Sequence, residues 1–530
     1  MGFLQKLRTV ASRGLSLFDA PPRHSVEHRL NKVDIGDSLN VEWRKYDGAK
    51  RGRTHGDWQA VGTSGNAEIY GSIATLRNRS RDLCRNDDYA RGIIRNILKN
   101  VVYKGIGFQA QVKQLKDPKK NDNRINNAIE DKWKYWSKKK YCDVTGQSSF
   151  HELQQLAFKS YLESGEVFIR KIKQSFDGCS IPFALELIEA DQVAEDYNTT
   201  APNGNQVVMG IELNNWNRPV AYWMYERHPG DFWFGGLNAG GKTTSNVRNL
   251  IRVPAEEIIH LFQRERPGDV RGVPILYSTI NRLRNLNKYE EAELVAARAA
   301  ANFMGIVTTP YSDLMGEPQT DENGDEIEDE LRPDETLTPG IIRYLAEGED
   351  FKSFAPNRPN SAFEGFHRNQ LRASAVGTGV AFTGASGDYS QSNYSSSRLE
   401  LLDIRDVWMM MQQWFINNFL VEVYESWLGQ AVLSGCLNFP DYEMRTERYQ
   451  VIRWTPRGYS WVDPHKEINA TIAAIKSGLT TVTEEVAKQG GDFEENIKAI
   501  AREREILDEY GVTLTFDGVA VHEEGFEPPS

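Results

Sequence analysis

Apolar positions recur at helical spacing most clearly late in the chain. Leu401, Ile404, Trp408, Met411 and Phe415 place an apolar stripe on a helix from about Arg398 to Leu428, with Gly429 as a C′ stop. About 31 residues at 1.5 Å rise span roughly 46 Å. The preceding stretch, Gly377 to Ser397, is rich in glycine and serine and is expected to be a mobile loop. Ser395, Ser396 and Ser397 offer N-cap oxygens to the helix that follows.

Upstream, Ala67–Lys104 reads as helix, with Arg77, Arg79, Arg81, Arg85, Arg91 and Arg95 interleaved among Leu76, Leu83, Ile93, Ile94 and Ile97. Such a stripe suits a neighbouring subunit or a nucleic acid, and a solvated helix face accounts for it equally. Helices are also expected over Ile125–Lys140 and Phe150–Leu162. Short β-branched and aromatic runs then predict strands at Glu166–Ile172, Phe183–Ile188, Val207–Leu213, Val220–Tyr225 and Ile258–Phe262, separated by Gly/Asn/Pro turns, as in a mainly antiparallel sheet. Ile275–Phe303 reads as one helix with an alanine-rich second half, and Ser361–Val376 as another. They bracket short strands and turns from Val307 to Phe354, so the pair forms a stalk with a tip. A C-terminal helical pair is expected at Asp463–Lys476 and Val482–Tyr510, with Gly478 in the turn and a Thr481/Glu484 capping box. The fold class is therefore α+β, and 530 residues allow several domains.

Composition narrows the function. Residues 1–150 carry 29 Lys+Arg against 16 Asp+Glu, while residues 151–530 carry 34 against 58. This asymmetry suits an assembly whose surfaces meet different partners, and the acidic bulk argues against static duplex binding. Cys84, Cys142, Cys179 and Cys436 lie far apart without a CxxC pair, which fits a reducing compartment. No secretory signal or run of eighteen apolar residues is present, so no membrane span is expected.

Candidate chemistry mostly fails on context. Gly236–Thr243 matches GxxxxGK[ST], with Lys242 in the phosphate-binding position, and a P-loop NTPase is the alternative function it raises. That chemistry needs a buried strand before the loop and an amphipathic helix after it. Here His228-Pro-Gly-Asp precedes it, and a polar segment broken by Pro254 follows, so a glycine-rich hairpin fits better. The acidic run Asp321–Glu330, with Asp321, Glu322, Asp325 and Glu326, resembles a calcium loop in composition. Its sixth position is Glu326 rather than glycine, which leaves a solvated loop. Gly377-Thr-Gly379 lacks the third glycine of a dinucleotide loop, the histidines lack metal-ligand spacing, and His260 reads as a satisfied core residue. No nucleophile–base pair emerges, so no catalytic residue, cofactor or metal is expected.

Four stretches, in this order and spacing, carry a family resemblance: Leu76-Arg-Asn-Arg-Ser-Arg-Asp-Leu-Cys-Arg-Asn-Asp-Asp-Tyr-Ala90; Arg271-Gly-Val-Pro-Ile-Leu-Tyr-Ser278; Asp388-Tyr389 through Tyr394-Ser-Ser-Ser-Arg398; and Ile475-Lys-Ser-Gly-Leu-Thr480 with Gly490-Gly491-Asp492. Over roughly residues 65–505 the chain resembles the lambda-type phage portal proteins. The resemblance implies a non-enzymatic, homo-oligomeric ring, usually of twelve subunits, at one capsid vertex. Double-stranded DNA passes through its channel. Its partners are the terminase large subunit, head-completion or adaptor proteins, and capsid and scaffolding proteins, in the host cytoplasm during assembly and then in the virion. It further implies an N-terminal arm (1–60), an α+β wing (61–274), stem helix 1 (275–305), a clip (306–358) and stem helix 2 (359–377). Beyond them would come a tunnel loop within 378–397, the long wing helix and its return (398–462), a helical crown (463–510) and a tail (511–530). The tunnel loop would offer Asp388, Tyr389, Gln391, Asn393 and Tyr394 to DNA, and the clip would offer Asp321, Glu322, Asp325 and Glu326 to the motor.

Overall fold

The computed structural model describes residues 62–117, 120–230, 249–302, 306–308, 350–352, 363–390, 393–459, 464–489, 491 and 493–509. The chain divides into two units, Met1–Gly62 and Thr63–Ser530, and the second is described here.

It opens with three helices where the sequence suggested one, α1 (Gly65–Tyr70), α2 (Ile73–Asn86) and α3 (Asp88–Val101). The second break is made by Asp87. Its extended backbone ends α2, and its carboxylate accepts from the Ala90 N–H to start α3. Strand β1 (Gly107–Ala110) follows, then α4 (Asn123–Trp136), α5 (Lys139–Cys142) and α6 (Phe150–Ser164), which begins in a Ser149–Glu152 capping box. The expected Ile125–Lys140 helix is thus interrupted at Ser137 and Lys138.

The strands are β2 (Glu166–Ile172), β3 (Ala184–Ile188), β4 (Thr199–Thr200), β5 (Gln206–Val208), β6 (Ile211–Leu213), β7 (Pro219–Tyr225), β8 (Leu250–Pro254) and β9 (Ile258–Phe262). They form a three-stranded sheet in the order β3-β2-β9 and a five-stranded sheet in the order β4-β5-β6-β7-β8. Every pairing is antiparallel, as the turn-punctuated runs indicated. The expected strand Val207–Leu213 is instead a tight hairpin: Met209 and Gly210 both take positive φ (48° and 79°), folding β6 back on β5.

Helix α7 (Ile280–Asn302) starts five residues later than the periodicity indicated, because Pro274–Thr279 form successive turns. Strands β10 (Ile306–Thr308) and β11 (Asp350–Lys352) pair antiparallel just beyond it, and α8 (Phe363–Thr378) returns. Then come α9 (Phe382–Ser386) and α10 (Tyr394–Phe415), which runs through a π turn at Ile416–Leu420 into α11 (Val421–Leu433). The expected stop at Gly429 is overrun. The helix ends at Gly435 (φ 73°), whose N–H reaches the Val432 carbonyl while the Leu437 N–H reaches Ala431. Ser395, Ser396 and Ser397 lie inside the first turn rather than ahead of it, since the Ser397 N–H already donates to the Asn393 carbonyl.

Beyond lie α12 (Thr446–Tyr449), β12 (Ile452–Thr455), α13 (Pro464–Lys476), α14 (Val482–Lys488) and α15 (Phe493–Glu509). β12 pairs with β1. Gly478 makes the turn after α13 (φ 73°) and Thr481–Glu484 form the expected capping box, but the single helix expected over Val482–Tyr510 divides after Lys488. Two glycines, Gly490 and Gly491, stand at that division, where helix propensity is poorest.

The main core collects α2–α6, the β2 sheet and α10–α11. At its centre Trp133 meets Trp427 and Phe150 edge-on, with ring centroids 4.9 and 5.0 Å apart. The π turn lets Phe415, Ile416, Phe419, Leu420, Val423, Tyr424 and Trp427 all reach this core, because one extra residue per turn resets the apolar seam. A second core lies between the sheets around Phe168, Tyr222, Ile211 and Val253. Among the described residues no helix is long and apolar enough to cross a membrane.

Candidate functional site

The stretch between α8 and α10 is held by short-range capping and by side chains from distant elements. Helices α7 and α8 lie antiparallel: Ser278 Oγ donates to the Gly377 carbonyl (3.4 Å), Arg282 to Gln370 (2.9 Å), and Tyr289 packs against Phe363 and Phe366. Nearer the other end His367 Nε2 lies 2.5 Å from Glu290, and the Tyr89 hydroxyl touches both at 3.2 Å. Burial together with the Glu290 carboxylate pushes the Tyr89 phenol up to about 12, so it remains a donor. Asn287 donates to Asp87 at 2.6 Å, which ties the hairpin to the α2–α3 junction.

At the end of α8, Gly379 (φ 67°) donates to Val376 and Val380 to Ala375, a Schellman closure. The chain then makes α9, where a structureless loop was expected. Glu400, nearly two turns into α10, reaches back to accept from the Phe382 N–H (2.9 Å) and the Thr383 hydroxyl (3.2 Å), capping α9 at its positive end. Ala385 is buried, the Gly384 carbonyl accepts from Asn96 of α3, and a side chain at Gly384 would meet that amide at 2.7 Å. Arg372 lies over the Phe382 ring at 5.2 Å. Only Gly387 to Asn393 therefore bridges the two helices.

Asp388 lies on that bridge. Its carboxylate accepts from the Ser390 hydroxyl and N–H, and from Arg368 of α8 at 2.6 Å. The Ser390 hydrogen bonds, with Arg368, hold its acidity down to about 2. Tyr389 is two-thirds exposed and Asn393 is exposed. Gln391 lies outside the described residues, and Tyr394 contributes the first backbone position of α10. Asp388, Tyr389 and Asn393 thus belong to one short bridge, and Tyr394 opens the helix that follows it. Asp321, Glu322, Asp325 and Glu326 lie outside the described residues, between β10 and β11.

Gly236–Thr243 also lies outside them. Its flanks are informative: β7 and β8 pair antiparallel up to Tyr225↔Leu250, and the Glu226 N–H donates to Asn249, so a strand follows the glycines where a phosphate loop needs a helix. The carboxylates of Glu189 and Asp191 converge with His228, yet Arg81 already pairs with both (3.2 and 2.6 Å) and Arg77 with Asp191 (3.1 Å). Two guanidiniums make this an ion-pair network rather than a cation site.

The element that sequence reading missed is a buried charge cluster. Glu166, fully buried at the start of β2, meets Arg271 (Nη2 2.6 Å, Nε 2.8 and 2.9 Å), Arg77 (3.3 Å), His260 Nε2 (3.0 Å) and the Gly272 N–H (3.2 Å). Burial resists ionisation of Glu166, but Arg271 and His260 outweigh it and set its acidity far below the usual carboxylate range. Burial depresses His260 against the pull of Glu166, so the ring is neutral and its Nε2–H donates to the carboxylate. His260 is the satisfied core residue expected of it. Arg271 also donates to the Met209 and Ala190 carbonyls, which locks the five-stranded sheet to the segment leading into α7. Arg77 shares the buried face of α2 with Ile73, Ser80 and Cys84, so it belongs neither to a solvated stripe nor to a partner surface. That phase was the available signal. Arg79, Arg85, Arg91 and Arg95 are exposed.

Comparison with known proteins places this geometry. Residues 51–412 match the family model described as phage portal protein, lambda family. The probable portal protein of Halomonas phage phiHAP-1 is 30% identical over 484 residues, covering 90% of each chain. Portal protein B of Escherichia phage lambda is 19% identical over 474 residues, covering 84% of this chain and 86% of its own. A chain in the virion of a native gene transfer agent particle is similar at 14% identity with a TM-score of 0.44, covering 79% of this chain and 93% of its own. Another, in the neck of the native particle computed with C12 symmetry, is similar at 13% identity and a TM-score of 0.40, with the same coverage.

Proposed function

The chain belongs to the lambda family of phage portal proteins, and from that premise we propose that it forms a homo-oligomeric ring of about twelve subunits at one capsid vertex, through which double-stranded DNA is packaged and ejected. The portal family is structural rather than enzymatic. The terminase large subunit supplies the ATP hydrolysis, and head-completion proteins replace it after packaging. Capsid and scaffolding proteins surround the ring, which assembles in the host cytoplasm and ends in the virion.

The observation that carries this reading is the match over residues 51–412, which spans both halves of the α7–α8 hairpin and the bridge after it. Antiparallel α7 and α8 suit a stem, and the β10–β11 pair at their far end suits the neck of a clip holding Asp321, Glu322, Asp325 and Glu326. The bridge after α8, with Asp388, Tyr389, Gln391, Asn393 and Tyr394, is the tunnel loop facing DNA. The two sheets and α10–α11 make the wing, and α13–α15 the crown.

Mass photometry and negative-stain images of the purified protein, and of capsid precursors carrying it, test the ring. Closed rings with a central channel are expected. A protein that stays monomeric at high concentration and forms no rings in precursors would refute it.

A further inference from the structure

Helix α10 has two unlike faces. Ile404, Trp408 and Phe415 are buried, and Gln412 donates to the Asn100 and Val101 carbonyls at the end of α3. The opposite face, at spacings of three, four, seven, ten and eleven residues from Leu399, carries Leu402, Asp403, Asp406, Met409 and Met410, all exposed. Leu399 is 69% exposed and Met410 73%. A helix face with this much accessible leucine and methionine calls for a cover. Asp403 and Asp406 have no ion-pair or hydrogen-bond partner among the described residues, so the cover must also be basic.

The same chain carries a surface of that character. Arg85 at the end of α2 and Arg91 on α3 are exposed and unpaired among the described residues, and they line a cavity of about 500 Å³ whose other charges are already matched, Lys159 with Glu163 (3.5 Å), Arg81 with Glu189 (3.2 Å) and the buried Glu166 with Arg271, so the two arginines are its free charge. Arg95 extends the charge one turn along α3. The core-facing residues of α3 are Ile93, Ile94 and Ile97, so the arginines point away from the layer that α3 makes with α10. The acidic–apolar face of α10 points out of its other side. Each face turns away from the layer that α3 and α10 share, and in a head-to-tail ring such a pair would meet between neighbours related by rotation.

We infer that the outer face of α10 in one copy, through Asp403, Asp406 and its leucines and methionines, docks on the Arg85–Arg91 surface of the next. This inference rests on the ring reading and assigns the surfaces that join its subunits. It gives the exposed arginines to a neighbouring copy rather than to DNA, because phosphate would leave the leucines and methionines of α10 uncovered.

The test is reciprocal charge reversal, read as the ring fraction by mass photometry at one protein and salt concentration. Asp403→Arg with Asp406→Arg, and separately Arg85→Glu with Arg91→Glu, are each expected to lower the ring fraction at least tenfold, since like charges then face each other at every contact. Subunit circular dichroism and melting temperature should stay at the wild-type value, as all four positions are exposed. Combining the four substitutions should restore rings, an outcome that misfolding cannot produce. Rings that survive both reversals overturn the inference while leaving the portal reading intact. Loss with the aspartate reversal alone, the arginine reversal leaving rings intact, overturns the pairing with the Arg85–Arg91 surface. Intact rings with weakened DNA passage in the arginine reversal overturn it in favour of a nucleic-acid face. Absence of wild-type rings, both purified and in capsid precursors, removes the portal reading and this inference together.

Discussion

Replacing Glu166 by alanine removes the anion around which two buried guanidiniums are arranged. Arg77 would keep Asp191 and Glu195, at 3.1 and 3.3 Å. Arg271 would keep the Met209 and Ala190 carbonyls and the Phe168 ring, 5.5 Å from its guanidinium, but no anion. Breaking a buried pair from one side costs about 3–5 kcal/mol, because the remaining charge stays in low dielectric. Arg271 is therefore left uncompensated and Arg77 is not, so about 4 kcal/mol is expected for Glu166→Ala, roughly a thousandfold in the folding equilibrium. Urea unfolding followed by tryptophan fluorescence, at one fixed subunit concentration so that assembly contributes equally, measures it. Glu166→Leu with Arg271→Met should recover most of the loss, since removing both charges leaves no orphan on Arg271. If Glu166→Ala lies within 1 kcal/mol of wild type, the carboxylate is not what holds Arg271 in place and the reasoning fails.

Gly272→Ala should also be damaging, by about 3 kcal/mol, because its Cβ would lie 2.2 Å from the Gly165 carbonyl oxygen, where backbone and not a flexible side chain must yield; soluble yield and limited proteolysis will report it. Acid should destabilise the fold in two stages. His260 has a folded pKa below its unfolded value near 6.5, so its contribution is lost as pH falls below that value, and that of Glu166 is lost only below about 4.3. His260→Gln should shrink the first stage in a pH series of urea midpoints while keeping an N–H donor for Glu166; what remains belongs to His151, which burial also depresses. Lys242→Ala should leave DNA packaging into capsid precursors unchanged, whereas a phosphate loop in this chain would make that variant lose nucleotide binding.

Local patterns were legible, and long-range ones were not. Glu166–Ile172 is a strand with the very bounds its β-branched and aromatic run gave, and the Thr481–Glu484 box and Gly478 turn form as spaced. The β5–β6 hairpin was hidden because Met209, which gives no turn signal, holds φ 48° inside an apolar run. Gly429 misled for the opposite reason. A glycine can stay helical where packing holds both sides, and the αL stop fell to Gly435. Helix α9 could not be read from its own five residues, since its N-terminus is capped by Glu400 from the next helix. Arg77 and Glu166 lie far apart in sequence, and only the fold shows that an arginine in the apolar phase of α2 has an anion waiting for it.

The bridge after α8 raises a last electrostatic point. From residue 378 to 397 the only ionisable carboxylate or cation is Asp388, and Arg368 of α8 neutralises it at 2.6 Å. The bridge therefore presents a polar face of no net charge, which adds almost nothing to phosphate affinity or to its salt dependence, where each neutralised phosphate contributes about 0.9 to the slope. In the proposed channel, where a duplex would slide both ways, such a face avoids wells repeating with the phosphates. Arg368→Ala should leave both Asp388 and Glu364, its partners at 2.6 and 3.5 Å, uncompensated in every subunit, an acidic ring where the proposed tunnel loop would meet DNA. Packaging is expected to slow in this variant, most at low ionic strength where screening is weakest, and to recover when Asp388→Asn is added. Packaging rates that do not change with salt in Arg368→Ala, or that Asp388→Asn fails to restore, would remove the bridge from the DNA path and leave Arg368 as a fastening of the loop alone.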